Sequence, residues 1–415
     1  MLIQKPKGTN DLLPEKARQR YFLETKVREN FEIYNFSEIR TPTFEKTELF
    51  KRGIGEETDI VSKEMYTFKN DEFTLKPEMT APVIRAYIEN NLNNESPLQK
   101  LFYITNMFRR ERPQAGRFRE FSQFGAESIG SNDPYCDAEM IILADSIIRS
   151  FGIDDSIIKL NTIGTAAERD VFFVEFKNYL SNYLNELSPD SQRRFVINPL
   201  RILDTKNPGD LKILKDAPVL YNFLNDETKG NFEKILDILT VNGIEFETDN
   251  RLVRGFDYYT STTFEFISDA LGAQNALLGG GRYDLLIQQL GGKPTPAIGF
   301  AAGIERLLMI MESKELLPDN NDELKLFIVS MGEESKKFSF KMLENLRNIG
   351  VKCETDFLNR SVKSQMKEAN RSKAEFVIVI GDEEIKSNSV KLKKMSDGSE
   401  VTVSGFENIK FFLDK

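Results

Sequence analysis

The sequence predicts an α+β protein that ends in a separate, smaller α/β domain. At 415 residues the chain is long enough for two or three domains with sizeable cores. Helical and strand patterns alternate irregularly over 1–317, whereas strands and helices alternate regularly after residue 324. A polar stretch over 318–324, rich in Asp, Asn and Pro, lies between the two patterns and is typical of a linker.

In the first region, apolar residues at helical spacing predict a helix from about Glu15. A strand is expected over 36–41 and should end at Pro42. Residues of about 165–242 are rich in helical patterns and prolines, which indicates an inserted helical subdomain. The other expected strands are 73–76, 101–108, 118–129, 160–163, 251–267 and 276–281, and the other expected helices are 78–91, 135–150 and 298–312.

The last region reads as strand, helix, strand, helix, strand and then a hairpin that turns at Asp397-Gly398. The strands are expected at 326–330, 351–354 and 376–380, and the helices at 334–348 and 361–373. This order predicts a largely parallel sheet. Residues 325–415 carry 17 Lys and Arg against 14 Asp and Glu, whereas the whole chain has a net charge of −9. A mildly basic module on an acidic protein indicates a polyanionic partner.

Composition excludes several kinds of chemistry. The chain contains no histidine, so Ser-His-Asp triads, Cys-His pairs and His-ligated zinc are ruled out. Two distant cysteines, Cys136 and Cys353, make neither a disulfide framework nor a CxxC knuckle, and they favour a reducing cytoplasm. No apolar run of transmembrane or signal-peptide length is found. Catalysis must therefore use carboxylates, arginines, tyrosines or a bound metal.

The densest chemical signal is a basic loop between two expected strands. Five arginines fall within 109–119, with proline and glycine between them. Guanidinium groups suit phosphate because they bind two oxygens at once and keep their charge. A salt-bridged surface hairpin explains the same pattern. On the next strand Gln123 and Glu127 share a face with Gly125 between them, which favours a floor for a small ligand, although a solvent-facing polar strand also explains it.

Three further segments combine glycine with arginine, and two of them also carry tyrosine. They are 251–259, 279–284 and 299–306. The three successive glycines at 279–281 let the backbone approach either another strand or a ligand. The chain has no GxxxxGK[ST] and no GxGxxG that opens a helix after a strand. A nucleotide would therefore bind here without either common phosphate-binding loop.

Together these segments resemble the class II aminoacyl-tRNA synthetases and, within that class, the histidyl-tRNA synthetase family. The matching segments are 5–14 (the N-terminal signature), 39–45 (motif 1, the dimer-forming element), 108–127 (motif 2), 252–259 and 278–284 (the two histidine-specific peptides) and 299–306 (motif 3). The resemblance implies an antiparallel-sheet catalytic domain over 1–317 that contains the helical insertion. It also implies an α/β anticodon-binding domain over 325–415.

The resemblance implies a two-step reaction. The carboxylate of L-histidine attacks the α-phosphorus of ATP to give histidyl-adenylate and pyrophosphate, with Mg²⁺ beside the β- and γ-phosphates. The histidyl group then passes to the 3′-hydroxyl of the terminal adenosine of histidine tRNA. Both steps need positioning and charge stabilisation more than a proton-transfer base, so a chain without histidine can perform them. A cytoplasmic homodimer with no membrane contact is also implied.

The resemblance assigns roles to residues of the ATP and tRNA sites. Arg109 is expected at the α-phosphate and substrate carboxylate, and Arg254 at the α-phosphate, where other class II enzymes hold a metal. The remaining assignments are Phe121 and Arg306 on the two faces of adenine, with Arg306 also at the γ-phosphate, Arg117 at the terminal phosphate, Glu111 at the adenine amine, and Arg112 and Gln114 at the tRNA acceptor end. No side chain is assigned to a metal.

For the amino acid, the resemblance places Glu78, Thr80 and Gln123 at the α-ammonium group, and Glu127, Tyr259 and Tyr283 at the imidazole. Imidazole needs partners on both nitrogens, which a carboxylate and a tyrosine hydroxyl supply. Two alternatives stay open. The first is the non-catalytic, histidine-sensing regulatory subunit of ATP phosphoribosyltransferase, which typically loses the catalytic arginines and the anticodon-binding domain. The second is a class II enzyme for another amino acid.

Overall fold

Contacts along the chain divide it into two units, Met1–Leu317 and Pro318–Lys415. The structure is a computed structural model, and it describes residues 2–55, 58–70, 72–114, 116–268, 276–318 and 324–413. The linker predicted over 318–324 falls mostly on residues outside those described. None of the helices in the described ranges is long and apolar enough to cross a membrane.

The first unit is built on an eight-stranded sheet with the strand order β1-β5-β6-β11-β10-β9-β7-β8. The pairings from β5 to β7 are all antiparallel, and a parallel strand closes each edge. Strands β2, β3 and β4 form a small separate sheet. The strands of the described residues are β1 Ser37–Glu38, β2 Phe44–Lys46, β3 Tyr66–Thr67, β4 Phe73–Leu75, β5 Gln99–Phe108, β6 Glu120–Ile129, β7 Ile157–Thr162, β8 Glu247–Thr248, β9 Thr260–Ile267, β10 Ala276–Arg282 and β11 Ala297–Gly303.

Helices cover one face of this sheet. Side chains such as Phe31, Ile141, Leu239 and Leu307 pack on Phe300 and its neighbours in the main core. The helices of this unit are α1 Pro14–Ile33, α2 Thr47–Ile54, α3 Thr80–Glu89, α4 Pro134–Ser150, α5 Ala166–Ser181, α6 Pro189–Ile197, α7 Pro208–Leu214, α8 Asp226–Val241, α9 Leu286–Gln289 and α10 Ile304–Ser313, with short helical turns at Ile60–Glu64, Leu92–Asn94, Pro199–Ile202 and Leu220–Phe223.

The opposite face of the sheet carries small and polar residues. Because side chains alternate along a strand, Phe124 and Ala126 point to the core while Gln123 and Glu127 point away from it. Across β6, β11 and β10 this second face, called the site face below, presents Gly125, Gly279, Gly281, Gly299, Ala301 and Gly303. A second core that includes Leu101, Tyr103 and Phe172 packs on part of this face, and a cavity opens over its glycines.

The structure corrects three sequence predictions for this unit. The helix expected over 298–312 begins only at Ile304, because Ala297–Gly303 is strand β11. Its glycines alternate with Ile298, Phe300 and Ala302, so the small residues form a strand face and not a helix face. The strand expected from residue 251 begins at Thr260, and residues before it form an irregular loop. The strand expected over 36–41 shortens to Ser37–Glu38.

The other predicted elements of the first unit are confirmed within a few residues at each end, including the helical character of 165–242. The two strands on either side of the arginine loop are β5 and β6, which pair directly from Gln99 opposite Ile129 to Phe108 opposite Glu120. The loop therefore stands at one end of the site face. Loop residue Ala115 lies outside the described residues.

The second unit has the predicted order of strands and helices. Its five-stranded sheet runs β13-β12-β14-β15-β16, with the first three strands parallel and the last two added as an antiparallel hairpin. Gly398 takes the turn with a φ of 73°, which suits glycine. The elements are β12 Leu324–Ser330, α11 Glu333–Asn348, β13 Cys353–Thr355, α12 Val362–Arg371, β14 Ala374–Ile380, α13 Asp382–Ser387, β15 Ser389–Lys394, β16 Glu400–Ser404 and α14 Ile409–Leu413.

A buried ion pair ties the sheet of the first unit to helix α4. Arg282, at the end of β10, contacts the Asp137 carboxylate with two of its guanidinium nitrogens. The two side chains are 5% and 3% exposed. Thr262 donates a third hydrogen bond to Asp137 at 2.7 Å. Burial raises the pKa of Asp137, and the Arg282 charge opposes this shift.

We expect Arg282→Ala to lower the free energy of unfolding by about 3–5 kcal/mol, because it leaves the Asp137 carboxylate buried without its cation. Urea unfolding followed by circular dichroism measures the change. The control is Lys26→Ala, which breaks the exposed pair with Glu29 on α1 and should cost under about 0.5 kcal/mol. Equal losses in the two variants would show that the buried pair does not hold the sheet to α4.

Candidate active site

A cavity of about 410 Å³ opens above the site face of the first unit's sheet. Its lining includes eleven of the site residues expected from the sequence: Glu78, Thr80, Arg109, Glu111, Arg117, Phe121, Gln123, Arg254, Tyr259, Tyr283 and Arg306. Glu127 lies against this lining, in contact with Thr80 and Tyr283. The expected acceptor-end residues, Arg112 and Gln114, do not line the cavity and are exposed in the loop between β5 and β6.

Glu127 is a carboxylate buried in the sheet, with only 1% of its surface exposed. Its Oε1 accepts a hydrogen bond from the Thr80 hydroxyl at 2.8 Å, and its Oε2 accepts one from the Tyr283 hydroxyl. Burial raises the pKa of Glu127 to about 8, although both hydrogen bonds oppose the shift. A carboxyl group with a pKa near the working pH can gain or lose a proton when a polar ligand arrives.

A second buried carboxylate, Glu78, lies at the start of α3. It accepts hydrogen bonds from the backbone N–H groups of Thr80 at 2.7 Å and Ala81 at 3.0 Å, so it caps the helix. Burial raises the pKa of Glu78 to about 7 against these hydrogen bonds and the charge of Arg109. The two carboxyl groups and the Thr80 hydroxyl thus form an acidic, polar end of the cavity.

Glycines of the site face make room for polar side chains that lie flat on the sheet. A Cβ at Gly299 would stand 1.6 Å from Oε2 of Glu127, and one at Gly279 would stand 2.1 Å from a guanidinium nitrogen of Arg254. Both distances are far below van der Waals contact. Of the three successive glycines, Gly279 gives space to a side chain of this chain, whereas Gly280 and Gly281 lie closest to the backbone oxygens of Gly299 and Thr262 on the neighbouring strands.

The proposed ligand floor at Gly125 is filled by protein. A Cβ there would stand 2.4 Å from the Tyr103 hydroxyl, and Gly125 does not line the cavity. The sequence interpretation of Gly125 as open floor is therefore wrong. Tyr103 pairs across β5 and β6 with Gly125, and its ring, 1% exposed, covers that position.

Three arginines surround the other end of the cavity. Arg254 lies on Gly279 and contacts Glu265 of β9, while its buried Nε has no hydrogen-bond partner among the described residues. Arg109 donates to the Pro77 carbonyl at 2.9 Å and lies 5.1 Å from the centre of the Phe121 ring. Arg306, in the first turn of α10, donates to the carbonyls of Gly116 and Ala276.

The charges of these arginines are only partly balanced. Within the described residues, neither Arg109 nor Arg306 has a carboxylate oxygen within 4 Å. Burial lowers the pKa of both guanidinium groups, and for Arg306 the nearby Arg117 charge adds to the effect. Unpaired, partly buried guanidinium groups that converge on a cavity are suited to phosphate and carboxylate oxygens. Arg117, by contrast, pairs with Glu111 at 3.3 Å.

Sequence reasoning missed several residues of the site. Tyr103, Tyr258 and Glu265 pack against the expected residues, and the helical region of 165–242 contributes Arg194 and Arg201 to the lining. Tyr258 could have been found, because it lies inside the 251–259 segment. The others carry no local signal, since long-range strand pairing and the fold of the insertion bring them to the cavity.

No ready-made metal centre appears in the described ranges, where no three Asp, Glu, Cys or His residues gather closely enough to hold an ion. The cavity does include the carboxyl groups of Glu64 and Glu111. Burial raises the pKa of Glu64, and the nearby Glu111 charge raises it further. Such a sparse set of donors fits Mg²⁺, because most ligands of this ion are water molecules and phosphate oxygens.

Comparison with known proteins gives consistent matches. The family model described as histidyl-tRNA synthetase matches residues 8–168 and 190–307. A model of an anticodon binding domain matches residues 325–415. A histidine–tRNA ligase of Halothermothrix orenii is 45% identical over 406 residues, covering 97% of each chain.

Solved structures match as well. The apo histidyl-tRNA synthetase of Staphylococcus aureus matches with a TM-score of 0.85 and 37% identity over 100% of both chains. A Bacillus halodurans protein described as an ATP phosphoribosyltransferase regulatory subunit/histidyl-tRNA synthetase matches with a TM-score of 0.65 over 91% of this chain and 98% of its own. At 21% identity, that second likeness shows the fold alone.

An antiparallel sheet with an arginine-lined cavity on its open face, followed by an anticodon-type module, defines the class II aminoacyl-tRNA synthetases. The family match covers most of the first unit, and the relatives match over nearly the whole chain. The chain belongs to the histidyl-tRNA synthetase family.

The raised pKa values predict how stability depends on pH. A carboxyl group whose pKa is higher in the folded state than in the unfolded state binds more protons in the folded state. Its contribution to the free energy of unfolding is fully present below the unfolded pKa and is lost as pH rises through the folded pKa. For Glu127 this window runs from 4.5 to about 8. We therefore expect the free energy of unfolding of the ligand-free protein to fall across it, and Glu127→Gln to reduce the slope by up to about 1.4 kcal/mol per pH unit.

Urea unfolding at a series of pH values from 5 to about 8.5 measures this slope. The control is Glu29→Gln, a change at an exposed residue of α1 that should leave the slope of the unmodified protein unchanged. A Glu127→Gln slope equal to that of the control would mean that Glu127 does not hold its proton in the folded state.

Proposed function

We propose that this chain is a histidine–tRNA ligase that joins L-histidine to the 3′ end of histidine tRNA through a histidyl-adenylate. The observation that carries the proposal is the polarity of a single cavity. Buried carboxyl groups and tyrosines occupy one end, and Arg109, Arg254 and Arg306 surround the other. This arrangement suits an amino acid with a polar side chain at the first end and a triphosphate at the second.

Histidine recognition begins with its imidazole ring. Tyr283 donates a hydrogen bond to Glu127, and Glu127 in its charged form accepts the N–H of a neutral imidazole. We assign the hydroxyl of Tyr259, in the cavity lining, to the other ring nitrogen. An N–H donor from the substrate stabilises the charged form of Glu127 and lowers its pKa. Glu78, Thr80 and Gln123 lie nearby in the cavity lining and suit the α-ammonium group. A site built on such polar contacts discriminates strongly against apolar amino acids, which would leave its polar groups unpaired.

Adenylate formation is a substitution at phosphorus. A carboxylate oxygen of histidine forms a bond to the α-phosphorus, and the bond from that phosphorus to the bridging oxygen breaks, which releases pyrophosphate. Arg109 and Arg254 are placed to hold the substrate carboxylate and the α-phosphate, so that negative charge on the five-coordinate phosphorus meets fixed positive charge. The unpartnered Nε of Arg254 offers one donor for this purpose.

The remainder of ATP follows the arginine end of the cavity. We assign Phe121 and Arg306 to the adenine, with Arg306 also reaching the γ-phosphate, Arg117 to the terminal phosphate and Glu111 to the adenine amine. Mg²⁺ would neutralise charge on the departing pyrophosphate. Glu64, a carboxyl group of the lining, would help to hold the ion together with phosphate oxygens and water.

In the second step the 3′-hydroxyl of the tRNA attacks the histidyl carbonyl, AMP leaves, and the hydroxyl proton is lost. We assign Arg112 and Gln114, exposed in the arginine loop, to the acceptor end of the tRNA. The α/β unit over 325–415 matches an anticodon binding domain and has a positive charge balance, which suits an RNA partner.

We also propose that the chain forms a homodimer through the segment that resembles motif 1. Residues 39–41 line a polar groove of about 460 Å³ beside α1. In the same groove lies Lys76, which is 2% exposed and has no ion pair within 4 Å among the described residues. Burial lowers the pKa of Lys76, with the Glu45 charge opposing the shift, so an acidic or carbonyl group from a second copy would stabilise the charged form of Lys76. Sedimentation analysis tests the state directly.

The direct test of the function is histidine-dependent exchange of labelled pyrophosphate into ATP. A histidine–tRNA ligase catalyses this pyrophosphate exchange when histidine is present, whereas a regulatory subunit catalyses it with no amino acid. A class II enzyme of another specificity exchanges only with its own substrate. The regulatory alternative is disfavoured because the arginines of the cavity and the anticodon-type unit are both present. Absence of exchange with histidine would overturn the proposal.

We expect Arg254→Ala to slow adenylate formation by about 10²–10³, the effect of losing one donor that acts in the transition state. The affinity for ATP should change much less, because several other groups hold the nucleotide. Single-turnover formation of adenylate and ATP binding are measured separately. A rate within a few-fold of that of the unmodified protein would remove Arg254 from the mechanism.

We expect Gly299→Ala to weaken histidine binding by about 100-fold, because the added Cβ displaces the Glu127 carboxylate and leaves its hydrogen-bond donors unpaired. ATP affinity should stay within about threefold. Calorimetric titration measures both ligands. The matched control is Gly230→Ala on α8, where an added Cβ meets no atom within 4 Å. Unchanged histidine affinity in Gly299→Ala would contradict the role given to Glu127.

A further inference from the structure

The loop that carries Arg254 and Tyr259 has no helix or strand of its own. It runs over 249–259 between β8 and β9. A backbone hydrogen bond from Asp257 to the Ile54 carbonyl spans 3.4 Å, which is long. A catalytic guanidinium must be placed to a fraction of an ångström, so groups outside the loop have to hold it.

The helical insertion supplies such groups. Arg201 donates a hydrogen bond from Nη2 to the carbonyl oxygen of Gly255, the residue after Arg254, and the same nitrogen lies 3.4 Å from Oδ1 of Asp257. Asn198 donates to that oxygen of Asp257 at 2.9 Å. Two insertion residues therefore hold the backbone and a side chain of one three-residue segment.

The insertion side of this contact is itself fixed. Asn198 follows α6, and Arg201 lies in the helical turn Pro199–Ile202, whose Pro199 and Ile202 are buried. Arg194 of α6 donates to the Arg201 carbonyl at 2.9 Å and pairs with Asp190 at 2.9 Å. The Arg201 backbone is thus tied to the helix before it.

The other side of Asp257 is also enclosed. Its carboxylate lies against Gly55, where an added Cβ would stand 2.7 Å from Oδ2. Asp257 is therefore held between the insertion and the end of α2. Burial raises the pKa of Asp257, and Arg201 and Asn198 oppose this shift, as expected for contacts that favour the charged form.

We propose that Arg201 of the helical insertion is a positioning residue for the reaction, which holds segment 255–257 so that Arg254 lies on Gly279 and faces the α-phosphate. Arg201 acts through Arg254 and does not touch the reacting atoms. Any ligand that shifts the insertion would shift Arg254 through the same contacts. The inference rests on the proposed function, because the reaction it supports is adenylate formation.

The test is a double-mutant cycle of Arg201 and Arg254 in the full-length chain. Each variant is measured by single-turnover adenylate formation and by pyrophosphate exchange. Arg201→Ala should lower kcat about 10- to 100-fold, the effect of a small misplacement of a catalytic group, with KM for ATP and histidine within about threefold. In an Arg254→Ala background, the same Arg201→Ala change should cost less than about twofold, because the group it positions is gone.

Arg193→Ala is the control. Arg193 lies on the same helix as Arg194, α6, and its exposed side chain pairs with Asp190 of that helix at 2.8 Å. The kcat of the Arg193→Ala variant should match that of the unmodified protein. Arg201→Lys keeps the charge near Asp257 but lacks the planar fork, so an intermediate kcat is expected. If the alanine variant does not fold, the lysine variant is carried through the same cycle.

An equal loss from the Arg201 change in both backgrounds would overturn the inference, since a role independent of Arg254 gives additive effects. A rise in KM with unchanged kcat would also overturn it. These outcomes differ from a failure of the proposed function, in which the unmodified protein itself shows no histidine-dependent exchange.

Discussion

The site depends on one steric constraint, which is that the open face of the antiparallel sheet lacks Cβ atoms at the positions where charged side chains must lie flat. Gly299 gives space to the Glu127 carboxylate and Gly279 gives space to the Arg254 guanidinium. These two glycines lie on neighbouring strands β11 and β10, so one small patch of backbone seats the proposed imidazole-reading group and a proposed phosphate-binding group. The separation of the Glu127 carboxylate and the Arg254 guanidinium therefore depends on the spacing and register of these two strands.

Charged groups of both signs line the cavity. Glu78 and Glu127 are buried at one end, and burial raises the pKa of both, so the empty site can hold protons there. The arginines at the other end are incompletely paired, and burial lowers the pKa of Arg109 and Arg306. Burying these charged groups without partners is unfavourable, and a zwitterionic amino acid and a triphosphate would supply the missing opposite charges. The ligands thus complete the electrostatics of the site.

Much of this architecture could be predicted from the sequence because its signals are local. The arginine loop with its two strands, and the alternating elements of the second unit, follow from hydrophobic period and turn residues. The helix prediction for 298–312 is wrong at its start because a run of small and apolar residues fits both a strand and a helix. Pairing with β6 makes Ala297–Gly303 a strand. Tyr103 over Gly125 and Arg201 beside Gly255 could not be predicted, because each contact joins residues that only the folded chain brings together.

In the proposed reaction Glu127 holds a proton in the empty site and binds a substrate N–H in its charged form. Calorimetry of histidine binding at a pH of about 7.5, in buffers of different ionisation enthalpy, counts the protons exchanged, and at this pH free imidazole is mostly neutral. We expect net proton release on histidine binding, and a smaller release in Glu127→Gln. Proton uptake, or a release that Glu127→Gln leaves unchanged, would contradict it.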